Sequence, residues 1–157
     1  MAQAVMENHP SKPLRHGDDS ATEFVIEMLK GDPTFAVNFD RIQWDSKNKR
    51  YVIVEYLLCD ESQFSKGITP HTSHPNRYFH KNSRKFISLW QIAKDLHAIL
   101  YLVNYSKKGT QFENQALLMK VEDVNAELQN PVRTTDVKMT RGQYSTWFRD
   151  LNQRGRR

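Results

Sequence analysis

The spacing of hydrophobic and polar positions changes along the chain between a helical and an extended period. Apolar residues recur at helical spacing in three segments, at 20–29, 83–98 and 140–151. Runs rich in β-branched and aromatic residues occupy four more, at 35–44, 51–58, 99–105 and 116–122. The resulting order of helix, strand, strand, helix, strand, strand, helix predicts an α/β fold with a central mixed β-sheet flanked by helices.

Local signals refine these elements. Ser20 and Glu23 have the spacing of a capping box for the first helix, and Gly31 is expected to end it. The turn-forming residues 45–49 predict an antiparallel hairpin between the first two strands. The strand–helix–strand unit over 51–105 favours a parallel crossover. Residues 124–139 show no clear period.

Polar segments set the predicted domain limits. Residues 1–19 are polar, contain prolines and have no sustained period, so we expect a flexible N-terminal arm. Residues 20–157 are then expected to form one domain that ends in a basic helix capped by Thr140. Residues 60–82 form a long connection without a period, which is uncommon in compact domains and often functional.

Glu55 is the chemically unusual residue of the predicted sheet. It lies in the run 51–58, where valine, isoleucine, tyrosine and leucine dominate without alternation, so both faces of this strand should be covered. An ionised carboxylate there costs several kcal/mol unless it is paired, hydrogen-bonded or bound to a metal. Glu55 is therefore either a structural partner of a lysine or arginine or part of a functional site.

Asp40 is the residue that the predicted hairpin would bring to Glu55. The two are separated by fourteen residues, and a turn near position 47 places their strands side by side. Two carboxylates that face the same way offer the oxygen ligands that Mg²⁺ or Mn²⁺ prefers. Such an ion can activate water and stabilise the charge that develops during phosphodiester cleavage.

Glu23 on a first helix, Asp40 on a strand and Glu55 on the next strand, followed by a helix and another strand, resemble the core of the PD-(D/E)xK nucleases. This resemblance to the restriction-endonuclease-like superfamily covers about residues 20–122. It implies that Asp40 and Glu55 hold the metal and that Glu23 assists. It also implies a lysine two residues after the glutamate, where this chain has Leu57.

The following helix offers substitutes for that lysine. In some members of the superfamily a basic or amide residue on this helix takes its place, and here Lys85, Gln91 and Lys94 lie on it. Lys85 or Lys94 would then act on the metal-bound water. The alternative for both lysines is a solvated or phosphate-facing position.

The net charge of +5 favours a polyanionic partner. Basic side chains in the long connection and the last two helices are the expected nucleic-acid contacts: Arg77, Lys81, Arg84, Arg141 and Arg149. The single cysteine, Cys59, fits a reducing cytoplasm. No apolar run is long enough to span a membrane, so no membrane partner is expected.

Three histidines, His71, His74 and His80, lie near Cys59 and raise zinc as an alternative, although their spacing matches no usual zinc site. Two functional classes remain open. The first is a metal-dependent nuclease with DNA as the favoured substrate, which could act as a homodimer to cut both strands of a duplex. The second is a catalytically inactive module of the same fold that binds nucleic acid or a protein.

Overall fold

The computed structural model describes Pro10, Ser11, Leu14 and residues 19 to 156. The chain divides into two compact units, Met1–Val37 and Asn38–Arg157. The predicted arm of residues 1–19 lies almost entirely outside the described residues. The prediction that residues 20–157 form one domain stays a prediction, and each unit is described by itself.

The described part of the first unit contains one helix, α1 (Ser20–Leu29), as predicted. Lys30 follows it in the left-handed conformation with φ of 50°, and Gly31 has φ of 89°, so the helix ends where the sequence indicated. The predicted capping box is wrong. Asp19 occupies the N-cap position and makes no side-chain capping hydrogen bond, which leaves Ser20 inside the first turn.

The second unit is built on a mixed five-stranded sheet, which confirms the predicted α/β class. The strands follow one another in chain order across the sheet, and they are β1 (Arg41–Asp45), β2 (Arg50–Leu58), β3 (Ile99–Tyr105), β4 (Gln115–Val124) and β5 (Val132–Thr140). The pair β2–β3 is parallel, and the other neighbours are antiparallel. The predicted hairpin and parallel crossover are therefore both confirmed.

Two helices cover the two faces of this sheet. Phe86 and Leu89 of α2 (Ser83–Asp95) pack with Ile53 of β2 on one face. Leu151 of α3 (Arg141–Gln153) packs with Val52 and Val54 on the other. Burial from both sides explains why β2 lacks the alternation of a half-exposed strand.

Two strand predictions need correction. The predicted strand 35–44 is wrong in its first part, because β1 begins only at Arg41. The segment 124–139 contains most of β5, which the sequence did not indicate. Most residues of β5 are exposed or half-buried, and Val132 alone is buried, so this edge strand has no apolar pattern to detect.

The last helix has the cap that its sequence predicted. The Gln143 amide donates to the Thr140 hydroxyl at 3.1 Å, and the Thr140 amide donates to the Gln143 side-chain oxygen at 2.9 Å. This reciprocal pair fixes the start of α3 where β5 ends.

The long connection between β2 and α2 is ordered by hydrogen bonds. It contains three short 3₁₀ helices, Glu61–Lys66, Pro75–Arg77 and Phe79–Lys81. The buried Asn104 side chain donates to the carbonyls of Pro70 and Ser73 at 3.1 and 2.8 Å. The connection is thus fixed to the sheet before the chain enters α2.

Topology places several chain segments at one end of the sheet. Because β2 and β3 are parallel and α2 connects them, α2 begins at the end of the sheet where both strands finish. The chain enters β1 at the same end, because β1 is antiparallel to β2. Among the described residues, no helix is long and apolar enough to cross a membrane.

Candidate active site

Glu55 lies on β2 with its side chain on the face that α2 covers. Its neighbours on this face, Ile53 and Leu57, belong to the same hydrophobic cluster as the core of α2. Glu55 is only 3% exposed, as the apolar run predicted. Its Oε1 lies 2.8 Å from the Lys85 ammonium. The buried carboxylate is therefore charge-paired across two elements.

Asp40 lies beside Glu55, immediately before β1 begins. The Asp40 backbone amide donates to Glu55 Oε2 at 3.1 Å. In return, the Tyr56 backbone amide donates to Asp40 Oδ2 at 2.9 Å. These two hydrogen bonds hold the two acidic residues side by side, with Glu55 buried and Asp40 exposed.

The unequal lengths of the hairpin strands explain this arrangement. Pairing of β1 with β2 stops at Arg41 and Val54. Beyond that point β2 continues to Leu58, and its backbone donors on this side need another acceptor. The Asp40 carboxylate supplies it to Tyr56. An acidic residue at the start of a short edge strand thus satisfies the backbone of its longer partner.

Lys85 and Lys94 were both candidates for the lysine that Leu57 replaces, and the structure separates them. Lys85 lies in the first turn of α2, where the helix starts next to the end of β2. Lys94 is nine residues further on, which is about 13 Å along the helix axis, and it is exposed. Of these two lysines, Lys85 is the one that contacts Glu55. Gln91 hydrogen-bonds to Asp95 at 3.0 Å.

Comparisons of the chain with protein-family models, with curated proteins and with solved structures found no match.

The donor set fits a hard divalent cation. Asp40 and Glu55 are acidic residues held side by side by backbone hydrogen bonds, and proteins usually bind Mg²⁺ through one or two carboxylates together with waters and substrate phosphates. No group of three or more histidine, cysteine, aspartate or glutamate side chains suited to a metal occurs among the described residues. A cation at Asp40 and Glu55 would thus keep several positions for water and phosphate. Glu23 lies exposed on α1 in the first unit, and its assisting role stays a prediction.

The predicted nucleic-acid contacts fall into two groups. Arg77, Lys81 and Arg84 are exposed around the start of α2. Arg149 is exposed on α3, whereas the Arg141 guanidinium donates to the carbonyls of Ser106 and Glu113 at 3.1 and 2.7 Å. The roles of all five stay predictions, and Arg141 already has a structural one.

Two of the three histidines of the long connection, His71 and His74, fix it to β5, whereas His80 is exposed. His71 Nε2 donates to the Met139 carbonyl at 2.9 Å. His74 accepts the Asn76 amide at 3.2 Å on one ring nitrogen and bonds to the Thr134 hydroxyl at 2.8 Å with the other. Burial lowers the pKa of His74 below its ordinary value, against an opposing effect of the Asp136 charge. These two rings hold the connection against β5.

Cys59 lies directly after β2 in a buried position. Burial raises the pKa of its thiol above the ordinary value. A thiol that resists ionisation is a poor nucleophile and a poor metal ligand.

Sequence reasoning did not identify the role of Tyr56. Its backbone amide holds Asp40, and its hydroxyl lies 2.7 Å from that of Tyr144 on the other face of the sheet. Burial raises the pKa of both tyrosines. The contact with Asp40 uses the backbone, so no side-chain pattern could have revealed it.

Proposed function

We propose that this protein is a divalent-metal-dependent nuclease that cleaves phosphodiester bonds, with DNA as the favoured substrate, on a restriction-endonuclease-like core. The observation that carries the proposal is the 2.8 Å contact between Lys85 and Glu55 beside Asp40. Through this contact the neighbouring helix α2 provides a lysine, which the sequence lacks at Leu57.

Each residue has a chemical role in this proposal. Asp40 and Glu55 are the metal ligands, and a bound Mg²⁺ or Mn²⁺ would lower the pKa of a water and neutralise charge on the phosphate. Lys85 presents a flexible ammonium, a compact point charge that can stabilise a developing negative charge or orient a water. The buried side of the site excludes solvent, which strengthens these electrostatic interactions.

Substrate binding would use the end of the sheet where α2 begins. Arg77, Lys81 and Arg84 are exposed there. Side chains of this kind contact phosphates without reading the base sequence. The net charge of +5 supports the same partner class.

A second candidate function is binding without cleavage. Both oxygens of Glu55 already have partners, the Lys85 ammonium and the Asp40 amide. A closed ion pair of this kind also suits a module that keeps the fold and binds nucleic acid or a protein without a metal.

Plasmid cleavage separates the two functions. The wild type should nick or linearise DNA with Mg²⁺ or Mn²⁺ and be inactive with a chelator. Asp40→Asn and Lys85→Ala should lose cleavage. Lys94→Ala is the matched control, because it removes the same charge from the same helix away from Glu55, and it should stay active.

The binding module without catalysis predicts a different experimental result. Binding to DNA that weakens steeply with salt, together with no metal-dependent cleavage under any of these conditions, would replace the nuclease by the binding module. Cleavage by the Asp40→Asn variant equal to that of the wild type would remove this pair of carboxylates as the metal site.

A further inference from the structure

The Lys85 ammonium occupies a position that a metal ligand needs to keep available. Glu55 Oε1 faces Lys85 at 2.8 Å, and Oε2 accepts the Asp40 amide at 3.1 Å. Each carboxylate oxygen can accept a second partner, but a divalent cation bound to Glu55 would lie within a few Å of the Lys85 ammonium, and the two positive charges would repel each other.

The two donors differ in how easily they can leave. The Asp40 amide belongs to the backbone at the start of β1 and is fixed by the hairpin. The Lys85 side chain is 33% exposed, whereas that of Glu55 is 4% exposed. A flexible four-carbon stem can return its ammonium to water at small cost, while the glutamate cannot leave.

Glu55 nevertheless requires a positive charge near it. A buried carboxylate without a counter-charge is strongly destabilising, so the position against Oε1 must hold some cation at all times. In the metal-free chain Lys85 fills this requirement.

We infer that Lys85 is a resident counter-ion of Glu55 that is displaced from Oε1 when a divalent cation binds. The inference rests on the proposed function, because it takes Asp40 and Glu55 as the metal ligands. It makes metal binding and the Lys85–Glu55 contact mutually exclusive. Lys85 is thereby released towards the scissile phosphate only in the metal-loaded protein, which couples its catalytic placement to metal binding.

This competition has an unusual consequence for substitutions. Replacing Lys85 should tighten metal binding while it weakens cleavage. A lysine that does not occupy the cation position would change metal affinity little. The loss of the Lys85–Glu55 contact on metal binding then separates a displaced lysine from one that stays beside the cation.

The test compares Mn²⁺ affinity by titration calorimetry in the wild type, Lys85→Met and Lys94→Met. Both variants lose one positive charge from the same helix, so the change in the net charge of the protein is matched, and only Lys85→Met removes the charge that lies against Glu55. We expect Lys85→Met to bind Mn²⁺ roughly tenfold more tightly than Lys94→Met, which corresponds to about 1.4 kcal/mol. Equal or weaker affinity, or no binding in any of the three proteins, overturns the inference.

These outcomes are distinguishable from failure of the proposed function. Tighter binding by Lys85→Met without DNA cleavage by the wild type supports the displacement and refutes the nuclease. Metal-dependent cleavage by the wild type with unchanged affinity in Lys85→Met refutes only the displacement.

Two further measurements apply if Lys85→Met does not fold. Lys85→Gln keeps a donor for Glu55 without the charge, and Mn²⁺ should raise its unfolding temperature more than that of the wild type. In the wild type, the ¹⁵N-detected signal of the hydrogen-bonded Lys85 ammonium should be lost on saturation with Mg²⁺. Its persistence at saturation, or an equal rise in unfolding temperature, would overturn the inference.

Discussion

The β1–β2 hairpin carries two buried carboxylates at its opposite ends, and they are held in different ways. Asp45 closes the turn end and is 1% exposed. Its oxygens accept the backbone amide of Lys47 at 3.0 Å and the side-chain amide of Asn48 at 2.8 Å. Arg154, which is distant in sequence, lies 3.6 Å away.

Glu55, at the open end, is held from other elements. Among the described residues its partners are Lys85, thirty residues away on α2, and the backbone amide of Asp40, immediately before β1. Asp45 thus stabilises the turn in which it lies, because side chains of this type cap their own turns. Glu55 instead depends on three separate elements that meet at the end of the sheet. The difference teaches that burial alone does not distinguish these two carboxylates, whereas the origin of their partners does.

The largest expected difference between the two carboxylates is in catalysis. Glu55→Gln keeps an acceptor for the Asp40 amide and removes the charge that a metal requires. We expect a loss of metal-dependent cleavage of more than about a hundredfold, since even outer partners of metal ligands contribute roughly 10- to 100-fold. The measurement is the initial rate of plasmid cleavage at saturating Mg²⁺.

Asp45→Asn is the matched control, because it also neutralises a buried carboxylate of the same hairpin while keeping an acceptor. Its rate per folded molecule should equal that of the wild type. If Asp45→Asn lost cleavage as strongly as Glu55→Gln, the assignment of one carboxylate to function and the other to structure would be wrong.

Asp45 is instead expected to contribute to the stability of the fold. Asp45→Ala leaves the Lys47 and Asn48 donors without their acceptor, and we expect the free energy of unfolding to fall by about 2–3 kcal/mol. Denaturant unfolding followed by circular dichroism measures this change. Asp150→Ala is the control: Asp150 also pairs with Arg154, at 3.5 Å, but its side chain is 70% exposed, so its loss should stay within about 0.5 kcal/mol. Equal losses in the two variants would contradict the structural role of Asp45.

The same hairpin shows which features of the fold and the site could be predicted from the sequence. The apolar run around Glu55 was sufficient to predict both its strand and its burial, because these depend on local composition. The nearness of Asp40 followed from the turn at 45–49, which sets the hairpin register. The side-by-side placement of the two acids was therefore within reach of pattern reasoning.

The sequence pattern could not show whether Lys85 or Lys94 lies next to Glu55. Both lie on one amphipathic helix, and which end of that helix meets β2 depends on the crossover and on the path of residues 59–82. Edge strand β5 was missed for a related reason, since its stability comes from backbone pairing with β4 and leaves almost no apolar pattern. Long-range pairing and partners on the backbone are the information that a single sequence does not display.

The dependence of stability on pH offers a finer comparison. Burial acts to raise the pKa of Asp45, but the Asn48 hydrogen bonds and the Arg154 charge outweigh it, and the pKa lies below its ordinary value of 3.8. The unfolded chain therefore takes up this proton first as the pH falls. The contribution of Asp45 to stability is present above pH 3.8 and is lost as the pH falls through the lower folded value.

Denaturant unfolding of the wild type and Asp45→Asn from neutral pH to below 3.8 measures this effect. The difference in free energy of unfolding between the two proteins should narrow on acidification, because the variant has no carboxyl group to protonate at this position. A difference that widened would mean that the carboxyl pKa is raised in the folded chain.

The smallest effect is expected at Arg154, and it tests whether Asp45 depends on its turn or on an ion pair. Arg154→Gln removes a charge that lies 3.6 Å from Asp45 and is partly exposed to water, so we expect a loss below about 1 kcal/mol. Asn48→Ala should cost more stability and should raise the pKa of Asp45 by more than Arg154→Gln does, because the side-chain hydrogen bond of Asn48 lowers that pKa more than the Arg154 charge does. NMR titration of the Asp45 carboxyl in both variants gives the ranking. A larger effect of Arg154→Gln would make Asp45 an ion-paired carboxylate like Glu55, and the contrast between the two ends of the hairpin would then rest on catalysis alone.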